Sequence, residues 1–317
     1  MVLPKNIYGW DGFELISGDL SVGITPTIGG RIMSVKYQGH ELLFVDPQHT
    51  AETFDPRRWK DLSEAKKSLG FKIWGGDKTW VAPQKDWLLG IPPLDLDAAP
   101  YTLTWNSDEA VMTSPICRET GLQIIRRVSL HDGQVRLIEE LYNRTSKPLS
   151  KGLWNVTQVK RPCYFEIPSN EGKFRSYHHE DKTLPAFEGD LSVNKGQVRI
   201  DCSSLSLFKV GGIPSSGEIV IFVDSEGQKI CWKKIFMYDP KAQYAHASVV
   251  EVFNSSSHPY AEIELHAPLK ELAPGECTRL EQIWKITLRT GIPTDKKSLS
   301  QNTLPGLVFH YIYALLI

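Results

Sequence analysis

Short runs in which apolar and polar residues alternate, each closed by a turn, recur along most of the chain. Phe13-Glu14-Leu15-Ile16 and Leu20-Ser21-Val22-Gly23-Ile24 flank the turn Ser17-Gly18-Asp19. Arg31 through Tyr37 repeats the pattern and turns at Gln38-Gly39 into Glu41 through Phe44. Comparable runs occupy 122–130, 135–142, 198–202, 218–223, 230–235, 260–265 and 280–288. A period of two sends successive side chains to opposite faces of a strand. Many such strands, punctuated by Gly, Asn, Asp and Pro, imply all-β antiparallel sheets packed as a sandwich. No linker-like tract divides the 317 residues, and all-β domains often reach this size. One domain over 1–292 is expected, with a tail at 293–317.

Two segments interrupt the strand pattern. Residues 56–71 read as one amphipathic helix stopped near Gly70, with Glu64 and Lys67 paired on its solvated side. Arg161 through Gly189 reads as a long polar connection, rich in Pro, Asn, His and Glu. The formal net charge is −1 with no basic stripe, which argues against nucleic acid as a partner. The apolar run from Leu304 to Ile317 is too short to span a bilayer, and docking on the body is the preferred reading. The five cysteines form no CxxC pair or zinc-ligand spacing, and their odd number argues against a disulfide framework. The N-terminus lacks the apolar core of a secretory signal. Together these point to the cytoplasm. Composition does not specify the oligomeric state.

One stretch stands out chemically. Ile73-Trp74-Gly75-Gly76-Asp77-Lys78-Thr79-Trp80, followed by Gln84 and Trp87, combines indoles, a glycine pair and both signs of charge. Sugars offer apolar C–H faces and a rim of hydroxyls, so they suit aromatic platforms beside charged or amide groups. A turn between two core tryptophans fits the same residues equally well.

The order of several short motifs resembles the galactose mutarotase-like superfamily, which contains the aldose 1-epimerases. Thr25-Pro26-Thr27-Ile28-Gly29-Gly30-Arg31-Ile32 and Glu41-Leu42-Leu43 resemble its opening turn and hairpin. Glu262-Ile263-Glu264, Leu272-Ala273-Pro274-Gly275-Glu276 and Trp284-Lys285-Ile286 resemble its close. The likeness spans roughly Ile16 to Leu288 and is nearest to DUF4380-like members. It implies a β-supersandwich with a sugar-binding cleft on a concave face. It also implies a glutamate that takes the anomeric hydroxyl proton and an acid that protonates the ring oxygen.

Along the late strand Tyr260, Glu262, Glu264 and His266 share one face, so either Glu262 or Glu264 can match the family's base. A solvated polar face explains the same pattern. The family's acid histidine has no counterpart in Leu153-Trp154-Asn155-Val156-Thr157-Gln158-Val159. Lys78 can replace it only if burial lowers its pKa. His246 is a second candidate, although a lone histidine in an apolar run is more often a core residue. Trp74, Asp77, Trp80, Gln84, Gln158 and Arg161 are the candidate substrate contacts. Arg161, with Lys160 and Lys78, suits an anionic sugar but also reads as an ordinary basic surface loop. Arg31 either touches sugar or bonds backbone carbonyls of the neighbouring sheet. His178-His179-Glu180-Asp181 is no metal motif, because neighbours on extended chain point opposite ways. No metal or cofactor is expected. Two readings lead: an epimerase-like isomerase of a small saccharide or sugar derivative, and a carbohydrate-binding module that has lost its acid; a structural or partner-binding sandwich with a vestigial cleft is the third.

Overall fold

The computed structural model describes residues 2–289, apart from 171, 180–182, 188 and 190. The tail at 293–317, and Glu180 and Asp181, lie outside the described residues. The alternating runs become two antiparallel sheets facing each other. The larger runs in the order Val2–Ile7, Trp10–Ser17, Leu20–Thr25, Arg31–Tyr37, Asp77–Ala82, Leu149–Lys160, Tyr260–His266, Val250–Asn254, Phe208–Gly212, Phe174–Ser176. The smaller runs Gln197–Asp201, Cys163–Pro168, Glu218–Ser225, Gln228–Phe236, Cys277–Leu288, Gln134–Asn143, Leu122–His131, Glu109–Thr113, Thr102–Trp105. Alternation decides which side chains enter the space between them. Leu122, Ile124, Val128 and Leu130 point inward from one strand, and Val135, Leu137 and Leu141 from its neighbour, into one continuous apolar core.

The expected helix is shorter than its sequence pattern. Pro56–Arg58 form a single 3-10 turn, and Trp59 returns to extended backbone (φ −106°, ψ 129°). The α-helix is Leu62–Leu69, restarted by Asp61, whose carboxylate accepts from the Ser63 and Glu64 amides. Gly70 ends it at φ 68°. The Glu64–Lys67 ion pair is present at 3.0 Å on the exposed side.

The connection from Arg161 to Gly189 is also more ordered than its composition suggests. Cys163–Pro168 joins the smaller sheet and Phe174–Ser176 the larger one. Cys163, Phe165 and Ile167 alternate inward there, a period that the polar residues further along obscure.

Candidate functional site

Pairing register builds the site. On Asp77–Ala82, Asp77 and Thr79 face the smaller sheet, and Lys78 and Trp80 take the opposite, outer face. The register sets Trp80 beside Trp154 and then His266, and sets Gln158 beside Glu262. Between them a row runs Lys78, Val156, Glu264, Glu251, Gly211 across five strands. Gly211 leaves that row's last place vacant, and the Tyr177 ring takes the space. Residues from six distant stretches thus converge on one outer patch.

An aromatic wall bounds the patch. Trp80, Trp87 and Trp154 pack with ring centroids 5.1 to 5.5 Å apart. Trp87 is brought there by the 84–91 segment. Lys66 of the helix clamps that segment by donating to the carbonyls of Leu88 (3.0 Å) and Ile91 (2.8 Å). Lys78 lies over Trp80, 4.4 Å from the ring centroid, and Lys209 over Trp154 at 5.2 Å. These indole faces therefore already carry ammonium groups.

The two candidate bases differ in surroundings. Glu264 accepts from the Trp154 indole (2.8 Å) and Lys209 (3.0 Å), and its side chain is 2 % exposed. Burial pushes its carboxyl well above the usual carboxylate range, with Glu251 and Glu262 adding to the shift. Glu262 keeps 10 % of its side chain open. Its Oε1 accepts from Gln158 at 2.7 Å and lies 3.7 Å from the Lys78 ammonium. Its Oε2 takes no hydrogen bond among the described residues. Burial lowers the Lys78 pKa, and Glu262 offsets this only in part.

Beside this pair lies a second polar group. Glu251 accepts from Tyr177 (2.5 Å) and pairs with Lys209 at 2.7 Å. His246 Nδ1 stands 3.1 Å from its Oε1 and His266 Nε2 3.3 Å from its Oε2. Burial opposes the charge on Glu251, but Lys209 and the imidazoles prevail and hold its pKa well below normal. Glu251 and Glu264 share one ammonium, and the two carboxyls shift in opposite directions. Burial lowers the His266 pKa against the pull of Glu251.

Several residues singled out in the sequence lie elsewhere. Trp74 is fully buried with Ile7, Trp10, Ile28 and Met33, so it offers no platform to a sugar. Gly75 and Gly76, at φ 104° and 78°, admit the Phe44 and Ile32 backbones rather than a ligand. Asp77 points into the sandwich, where it pairs with Arg126 and accepts from Thr157 (2.6 Å) and Asn155 (3.1 Å). Glu139, Lys234 and Gln282 complete that sealed network. Arg31 is structural: it donates to the Gly75 carbonyl (3.3 Å) and to Asp97 (2.7 Å), which also accepts from Trp80. Arg161 is spent on the carbonyls of Ser204, Ser255 and His258. Gln84 lines an adjoining depression with Lys85, Asp86, Tyr244, His246 and Leu269, which meets the patch at His246.

The sequence reading did not single out Trp154, Lys209, Glu251 or Tyr177 as site residues. A signal existed for Glu251, a lone carboxylate within the apolar run Val249-Val250-Glu251-Val252-Phe253. For Lys209 and Tyr177 there was none, because only strand order brings them to the patch.

No family model and no curated protein matches the chain. Solved structures do match. A galactose mutarotase-like protein from Lactobacillus casei superposes at TM-score 0.56 and 10% identity, over 87% of this chain and 99% of the other. One from Clostridium acetobutylicum gives 0.57 and 12%, over 91% and 98%. A galactose mutarotase related enzyme from Lactobacillus acidophilus gives 0.55 and 11%, over 87% and 97%. The fold is accordingly the galactose mutarotase-like β-supersandwich. Among the described residues no helix is long and apolar enough to cross a membrane.

Proposed function

We propose that the chain binds a saccharide on the outer patch of the larger sheet and interconverts its anomers. Glu262 acts as base and Lys78 as acid. The observation that carries this reading is the pairing of a buried ammonium with a partly open carboxylate, 3.7 Å apart. Mutarotation removes a proton from the anomeric hydroxyl and delivers one to the ring oxygen, and both oxygens sit on one carbon. Two neighbouring groups therefore serve both transfers. Glu262 Oε2 takes the hydroxyl proton while Lys78 gives its proton to the ring oxygen. The C1–O5 bond breaks and the aldehyde forms. After rotation about C1–C2, the reverse transfers close the ring and restore both groups. Burial lowers the Lys78 pKa, which makes its ammonium a readier proton donor.

Arg161 is occupied, so neutral sugars suit the patch better than sugar phosphates. The five free cysteines suit a reducing compartment such as the cytoplasm. The fold likeness supports a sugar-type ligand.

A second reading, a saccharide-binding protein without turnover, is favoured by one observation. The Leu149–Lys160 strand carries no histidine where the resemblance implies an acid. Exchange NMR on a panel of aldoses and sugar phosphates separates the two. Faster anomer exchange with the protein supports catalysis. Quenched tryptophan fluorescence without faster exchange supports binding alone, and neither effect across the panel rejects both.

A further inference from the structure

The geometry points to a divalent transition-metal site formed by His246, Glu251 and His266, beside the Lys78–Glu262 pair and independent of its proposed role. One ligand atom from each of the three lies within 4.8 Å of the other two. Two imidazoles and one carboxylate form a donor set suited to borderline cations such as Zn²⁺, with at least one coordination position left for water.

The second observation concerns His266. Its side chain is fully buried, yet neither ring nitrogen makes a well-aimed hydrogen bond among the described residues. Nε2 lies only 3.3 Å from Glu251 Oε2, at the edge of the cluster. Buried polar atoms seldom go without a partner, because each unmade bond forfeits solvation that burial does not return. A cation between His266, Glu251 and His246 would satisfy that nitrogen.

Two further features fit. His246 and Ala247 both hold left-handed backbone (φ 58° and 51°), uncommon for non-glycine residues, and this turn carries the imidazole over Glu251. The Trp154 ring stacks on His266 at 5.2 Å and meets His246 edge-on at 5.0 Å, so neither ring is free to swing. Lys209 is the competitor. Its ammonium lies 2.7 Å from Glu251 Oε2 and 3.0 Å from Glu264, and it fills the cation's role in the metal-free protein. On metal binding it would keep Glu264 and release Glu251.

The test uses the tag-free full chain, stripped with chelator and titrated with Co²⁺ by visible absorption and with Zn²⁺ by calorimetry. The expected result is one ion per chain, with the d–d bands of a low-coordinate Co²⁺ centre. His246→Ala, at a partly buried position, should weaken binding at least about tenfold, the lower end of what a metal site loses with a supporting residue. Lys209→Met, which removes the competing charge, should tighten it at least about tenfold. No cobalt bands and no zinc heat in the wild-type chain would overturn the site. So would bands of undiminished strength in a His246→Ala variant of unchanged circular dichroism. Weaker binding in Lys209→Met, with the fold intact, would equally count against it.

Discussion

Lys78 and Glu262 stand on strands that do not pair with each other, yet their charged ends meet at 3.7 Å. The Leu149–Lys160 strand separates them, so the backbones are about 10 Å apart across the sheet. Val156 is the reason they can meet. Its short side chain is the neighbour of Lys78 in the row, so the lysine can lean toward the next row, where Gln158 stands opposite Glu262 and steadies the carboxylate. The stem is buried but its partner keeps an opening to solvent, which is the arrangement a small polar ligand requires.

Glu262→Gln should therefore lower anomer exchange by about 100- to 10,000-fold, the range for losing a general base. Glu264→Gln should act differently, because its carboxylate is locked under Trp154 and Lys209. Its main effect should be a lower unfolding midpoint in urea, with exchange largely retained. Equal loss of exchange in both variants would contradict the assignment.

Asp77→Asn should behave as a core variant. It leaves the fully buried Arg126 and Lys234 with Glu139 as their one remaining carboxylate among the described residues, and breaking a buried pair typically costs about 3–5 kcal/mol. Chemical denaturation should register that loss. Saccharide affinity of the folded fraction should stay as in wild type, since Asp77 faces away from the patch.

Lys234 supplies a pH signature. Burial lowers its pKa from 10.5 to about 8, against the pull of Asp77 and Glu139. Between about 8 and 10.5 the unfolded chain holds the proton that the folded chain has released, so stability attributable to Lys234 rises with pH. The unfolding free energy of wild type, less that of Lys234→Met, should climb by up to about 3 kcal/mol across that window. A flat difference would mean the ammonium is not shifted.

Gly75→Ala should destabilise the fold without reaching a ligand. Its φ of 104° strains any side chain, and a Cβ there would press on the Phe44 carbonyl. A loss of at least about 2 kcal/mol is expected in thermal or urea unfolding. A near-neutral outcome would show that the Phe44 segment can retreat.

The sandwich was legible because alternation is a local code. Arg31–Tyr37 was bounded correctly, and the runs at 122–130, 135–142, 218–223 and 230–235 lie within observed strands. The helix at 56–71 was overextended, because its amphipathic pattern continues through Trp59 while Asp61 caps a fresh start. The candidate site was legible only in part. Lys78, Trp80, Gln158, Glu262 and Glu264 share the outer patch, and a period of two foretold the common face of the two glutamates. For Trp74 and Asp77 proximity in sequence misled: Trp74 precedes the strand, and Asp77 and Lys78 are successive residues that it sends to opposite sides.

The amino-acid order alone determined the class of architecture and which residues of each strand share a side, since both follow from neighbouring backbone geometry. It left open which side faces inward and which strands lie next to one another. Those depend on pairing between segments as far apart as Gln134 and Lys285, where register is chosen by the whole core at once. That collective choice seals Asp77 beside Arg126, turns Lys78 toward Glu262, and gathers His246, Glu251 and His266 around one point.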